Sequence, residues 1–564
     1  MNVGARTKFG RHEILVLIAA GLRTLHPVCL LTLVAIATMA QSPNITAVEN
    51  AATNIPSGLP NSAVAQGALF VVKGSGLGPA TPAIASSFPL PEAIGGTSIQ
   101  VSIGGVTVNA IMYYALAQQV AAILPSRTPT GTGTVTVTYN NQSATGLITV
   151  VQNNIGVFTV GTTGAGDAVA TLAADNTLVS ITNAPNPGET VTLWATGLGP
   201  VSGDESNPAA GGDMIDVPLR VFIGGKPTKV LYRGRNACCS GVDAIYVTVP
   251  QSLTGCAVSI VMQIGNLVSN TPTIPVATSG RTCTPSLTGG PPVGSGTYSG
   301  GSLSLGRSVI TYSVSSADST MKSDTASAIF LNVATAPGPV PGLEIDSLAY
   351  GSCIVTAMFG GQSTAPPSAI VSARSLDAGA AINLTGPTGN NVLARSTARG
   401  GIEYEATLDD TATTLTAGAY TFTGAGGADV GPFTASVNFA APFNWTNQSN
   451  ITRVGRTLGV TVTWTGGDPS GNVTIIGGNS FGGSDLANSG DASFACVARV
   501  SDGAFTVPAV ILLALPPSNS DGGVPNLGSL LVRNNSALGT FRAPGLVYGQ
   551  VSSYSQYGIP VTYQ

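Results

Sequence analysis

A single run of landmarks occurs twice in this chain, about 120 residues apart, and it fixes what the chain can fold into. The first copy holds G-A-L-F-V-V-K-G-S-G-L-G-P (Gly67–Pro79), V-S-I-G-G-V (Val101–Val106), A-A-I-L-P (Ala121–Pro125) and T-V-T-V-T-Y-N-N-Q-S (Thr134–Ser143). The second holds E-T-V-T-L-W-A-T-G-L-G-P (Glu189–Pro200), V-F-I-G-G-K (Val221–Lys226), Y-V-T-V-P (Tyr246–Pro250) and V-S-I-V-M-Q-I-G-N-L-V-S-N (Val258–Asn270). Each apolar or alternating run stops at glycine, where the backbone needs a positive φ, so the runs read as short strands. The I-G-G and I-G-N tripeptides sit between apolar runs and predict tight hairpin turns. Trp194, in the strand before G-L-G-P, reads as core filling.

The period is the size of an immunoglobulin-like sandwich. Over 564 residues it allows about four such units. Val, Ile and Thr recur between clusters of Gly, Pro, Asn and Ser, and only 9% of the chain is charged. Disordered chains show the opposite bias, so the fold class is all-β, with tandem immunoglobulin-like β-sandwich domains after an N-terminal signal peptide.

Residues 1–40 read as that peptide. Arg6, Lys8 and Arg11 precede an uncharged apolar run, Val28–Ala40, that ends in small residues. The run is shorter than the roughly 20 residues that span a bilayer, so no stable membrane span is expected after cleavage. The leader contains His12 and His26, the only histidines, and Arg6, Lys8, Arg11, Arg23 and Glu13. The mature chain then has 18 basic and 25 acidic residues, a formal charge of −7. No basic stripe is left to track a phosphate backbone, and nucleic-acid binding is set aside.

Six cysteines remain after the leader: Cys238, Cys239, Cys256, Cys283, Cys353 and Cys496. An even number in an exported chain reads as disulfides. Adjacent residues of a strand face opposite ways, so Cys238 and Cys239 are each expected to pair outward, with Cys256 and Cys283 as partners in either order. Cys353 and Cys496 are left for each other. Such a bond would interlock two C-terminal segments.

G-L-G-P, V-x-I-G-G, and C-C-S-G-V-D-A-I-Y-V-T-V-P followed by T-G-C and S-N-T-P-T-I-P-V resemble the IPT/TIG-type immunoglobulin-like repeats of large secreted acidobacterial proteins. The resemblance spans about Asn44–Cys283 and is sharper in the second copy, since the first lacks the cysteines. It implies a fold and a location rather than an activity. The expected organisation is residues 41–154 and 155–284 as two such domains, the second with disulfides, and 285–296 as a linker. Residues 297–443 and 444–564 follow as two further β-sandwich domains, or one unit.

Candidate chemistry is sparse. G-N-S-F-G (Gly478–Gly482) fits a nucleophile-elbow pattern, but that motif needs a strand–turn–helix setting and a histidine, so it reads as a chance match. Glu403 and Glu405 share one strand face, as a glycosidase pair could, or as any wet face does. The loop Gly203–Asp216 has oxygen ligands enough for Ca²⁺ without a regular calcium pattern; zinc is set aside, and no other cofactor is indicated. Tyr113 (beside Tyr114), Trp445 and the tail Ser552–Gly558 are the candidate aromatic platforms for a sugar. The expectation is an exported, non-enzymatic protein, secreted or at the cell surface. Its role would be structural, adhesive or binding, with an extracellular polysaccharide or surface protein as partner. A carbohydrate-binding module array is the alternative, and a secreted glycoside hydrolase the more distant one.

Overall fold

The I-G-G tripeptides close two-residue hairpins in both copies. Ile103 pairs with Val106 and Ile223 with Lys226. Gly104, Gly105, Gly224 and Gly225 all have positive φ, the geometry that matches the twist of the flanking strands. A computed structural model gives the fold. It describes residues 42–208, 212–284, 296–314, 317–335, 348–359, 362–364, 370–398, 400–481, 489–518 and 528–564. The signal peptide and nearly all of the expected linker lie outside them.

The first module is a two-sheet sandwich. One sheet orders Asn44–Asn50, Leu69–Ser75, Gln119–Ile123 and Ile111–Ala115; the other orders Gln142–Val151, Gly131–Tyr139 and Thr97–Ile103, edged by Val106–Asn109. In strand positions these are A-B-E-D against G-F-C, the immunoglobulin-like arrangement. Alternation places the core: Val135 and Val137 point inward against Phe70, Ile99 and Met112. Thr136 points outward, its hydroxyl against that of Thr145 across the hairpin.

The second module repeats the arrangement. Gly156–Val157, Thr190–Thr196, Asp243–Thr248 and Val230–Arg235 form one sheet. Leu219–Ile223 and Gly255–Ile264 centre the other. Its core gathers Leu193, Val221, Ile245, Ile260 and Met262. Trp194 is half-buried, and its indole N–H donates to Thr171 Oγ1 at 3.3 Å.

The C-terminal half is one interlocked sheet system. A hairpin of two 19-residue strands, Gly296–Val314 and Ala317–Thr335, runs through a 16-stranded sheet. On one side it pairs in parallel with the last strand, Tyr548–Tyr563, followed by Gly528–Asn535, Asn472–Phe481, Gly490–Arg499 and Cys353–Phe359. On the other it meets Glu403–Asp409 and the meander ending at Phe433–Phe439. Two cores lie on this sheet, one around Phe330, Tyr404 and Phe422, the other around Trp464, Phe494 and Tyr563. Arg307 faces inward, forks onto buried Asp324 at 2.8–2.9 Å and also donates to Leu415 O.

Phe505–Pro517, strand-like in sequence, divides. Ala504–Val507 is a strand, and after Pro508 the chain makes a short helical turn, Ala509–Leu512. Pro508 has no N–H for a ladder, so the strand stops there and the apolar run is buried as a turn instead.

Candidate functional site

The two modules meet through buried polar side chains. Asn154, between them, donates to Asn61 O at 2.8 Å, and its backbone N–H donates to Gly197 O at 3.0 Å. A Cβ on Gly197 would stand 2.1 Å from Asn154 O, so only glycine lets the chains approach here. Thr196 Oγ1 accepts from Leu69 N at 2.8 Å and donates to Gly241 O at 2.7 Å. Arg235, 5% exposed, ion-pairs with fully buried Asp243 and donates from Nη2 to Gly67 O at 2.9 Å and Gly199 O at 2.7 Å. Burial pushes the Asp243 carboxyl up, while Arg235 and the Leu198 N–H hold it down.

A cleft of about 320 Å³ opens beside this joint. Its walls are the loop Val201–Pro208 and the turn that carries Arg235, Cys239, Ser240 and Gly241. The loop is tied to the first module: Glu205 accepts from Ser126 N and Oγ, each at 2.7 Å, and Leu90 N donates to Ser206 O. Asp204 accepts from the Ser206 hydroxyl and amide and from Asn207, which hold its carboxyl below the ordinary range. Ser240 is 3% exposed, and its hydroxyl has no hydrogen-bond partner within the protein.

At the rim the structure corrects the sequence reading. Cys238 and Cys239 are bonded to each other, and Cys256 is bonded to Cys283. Outward pairing requires a strand here, but the strand ends at Arg235, and Asn236–Gly241 is a turn closed by Asn236 N to Val242 O. Cys353 is bonded to Cys496, on neighbouring strands in direct register.

The other candidates are dispersed. Trp445 is not a surface platform: it is 3% exposed, in register with Trp464 inside a C-terminal core, its indole N–H donating to Asn447 Oδ1. Tyr113 packs against Leu69, Leu90 and Ile123 with Phe158 of the second module, and burial pushes its hydroxyl up. In the tail, Tyr554 lies under the Arg533 guanidinium at 3.9 Å. Ser480 of G-N-S-F-G sits inside the continuous strand Asn472–Phe481, not at an elbow. Glu403 and Glu405 flank buried Tyr404 on the outer face of their strand.

In the Gly203–Asp216 loop, Asp204 and Glu205 turn to the partners named above, and Asp213 turns to Arg233. Among the described residues no group of three or more His, Cys, Asp or Glu side chains is placed to hold a metal ion. No helix among them is long and apolar enough to cross a membrane.

No family model matches the sequence. No curated protein matches it. Solved structures that it resembles include the plexin A4 extracellular region, domains 1 to 8, at 13% identity and TM-score 0.16, covering 47% of this chain and 20% of that one. The I9–I11 tandem of titin matches at 10% identity and TM-score 0.11, covering 66% of this chain and 92% of that one. SGBP-B from a xyloglucan utilization locus of Bacteroides uniformis matches at 11% identity and TM-score 0.17, covering 66% and 88%. This chain thus spans a small part, 20–30%, of the plexin regions it matches.

Proposed function

We propose that this is an exported, non-enzymatic binding or structural protein whose modules act as one stiff body at or beyond the cell surface. The carrying observation is the set of joints. Arg235 and Thr196 tie the first module to the second by buried hydrogen bonds, and Ser259 exchanges hydrogen bonds with Ser352 Oγ and Cys353 N of the C-terminal half at 3.2 Å each. Joints of this kind hold modules at fixed spacing, where a polar linker would let them swing. Three disulfides fit an oxidising compartment. A hydrolase reading has less support, because Glu403 and Glu405 stand on the outer face of one strand rather than across a cleft.

The test is small-angle scattering on residues 41–564, paired with fractionation of cells expressing the full chain. The expected result is export and a single stiff envelope that fits the structure. A protein retained inside the cell, or scattering from freely jointed modules, would overturn the proposal.

A further inference from the structure

We propose that the cleft beside Cys238–Cys239 binds the terminal sugar residue of an uncharged polysaccharide, a proposal that rests on the binding half of the function above. Four observations converge on it. The first is the Ser240 hydroxyl, buried at the cleft wall without a partner. A buried polar group without a partner costs free energy, and a ligand hydroxyl would relieve that cost. The second is charge. Asp204 and Glu205 line the cleft with their carboxylates held by Ser206, Asn207 and Ser126, and the Arg235 guanidinium is committed to Asp243, Gly67 O and Gly199 O. The surplus is negative, which disfavours phosphate, sulfate and uronate ligands but suits hydroxyl donors.

The third is the ring closed by the bond between adjacent Cys238 and Cys239. It puts half-buried Cys239 in the cleft wall, with Cys238 exposed next to it. A rigid apolar rim beside a few fixed polar groups complements a sugar ring, which has a C–H face and a hydroxyl edge. The fourth is size. At about 320 Å³ the cleft is at the small end for ligand sites, enough for a chain end but not for a folded partner.

The experiment is calorimetric titration of residues 41–564 with neutral glucan, xylan, mannan and galactan oligosaccharides, and with a polyuronate as the charged control. Binding of a neutral oligosaccharide is expected to weaken about tenfold in Ser240→Ala, the loss of one ligand hydrogen bond. The hydroxyl has no partner in the fold, so melting of that variant should be unchanged or raised, never lowered. Mild reduction, or the double change Cys238→Ser with Cys239→Ser, should weaken binding further. Binding unchanged in Ser240→Ala and after reduction would overturn the cleft as the site while leaving a binding function in place. Preference for the polyuronate, or no binding of any neutral oligosaccharide, would overturn the proposal outright. The scattering experiment on the intact chain is independent of all these outcomes.

Discussion

Arg235 Nη2 donates to Gly67 O across the joint between the first two modules, at 2.9 Å, while its Nη1 is held by Asp243. One side chain therefore fixes both a buried charge and a domain boundary. Arg235→Met would leave Asp243 buried without its cation and strip donors from Gly67 and Gly199. The expected cost is about 3–5 kcal/mol. The double change Arg235→Met with Asp243→Leu should cost less than the single one, because no lone charge remains. Urea unfolding of the three proteins checks this, and a double variant worse than the single would refute it.

The disulfides should rank by loop length. In the chain-entropy model, the Cys353–Cys496 bond, its ends 143 positions apart, is worth about 5 kcal/mol, and Cys256–Cys283, 27 positions apart, about 3.5. Replacing Cys353 and Cys496 with alanine should therefore lower the denaturant midpoint more than replacing Cys256 and Cys283. Equal or reversed losses would put the stabilisation in native-state packing instead.

Much of the fold could be read locally, and the largest misses come from pairings distant in sequence. Alternation in T-V-T-V-T placed Val135 and Val137 in the core, and the I-G-G glycines fall where positive φ is required. The sequence around Trp445, F-N-W-T-N, gives no local sign of its burial. What buries Trp445 is the strand containing Trp464, whose pairing a local window does not reveal. The parallel pairing of the last strand with the long hairpin joins residues such as Ser308 and Gln556, 248 positions apart. The cleft was equally hidden, because its loop is positioned by Ser126 of the preceding module. Only the adjacent cysteines pointed there, and the strand assumption sent their bonds elsewhere.

Glu49 should give stability a distinctive pH slope. Its side chain is fully buried, Oε1 has no partner, and burial raises its carboxyl above the usual value even though Lys73 opposes. A raised carboxyl binds its proton more tightly folded than unfolded. Its contribution is therefore fully present below the unfolded value of about 4.3 and is lost as pH rises through the folded value. Glu49→Gln removes that slope, so the variant should gain on the wild type between pH 4 and 8. A constant difference in denaturant midpoint across that range would contradict the assignment.

The register of the last strand can be tested through Gly306. Parallel pairing sets Gly306 beside Tyr554 and Gly300 beside Tyr548, and a Cβ on either glycine would stand 2.1 Å from the tyrosine ring. Each ring thus lies over a neighbour with no side chain, an arrangement that pins one strand against the next. Tyr554 is also covered by Arg533, so its ring has little room to swing away. Gly306→Ala should destabilise the C-terminal half by about 1–3 kcal/mol through overpacking. Adding Tyr554→Ser should recover part of that loss, since the colliding ring is gone. A slip of one residue would set Ser555 beside Gly306 instead. In that case Gly306→Ala would cost little, and Tyr554→Ser would act independently of it, so strict additivity in the double-mutant cycle would exclude this register.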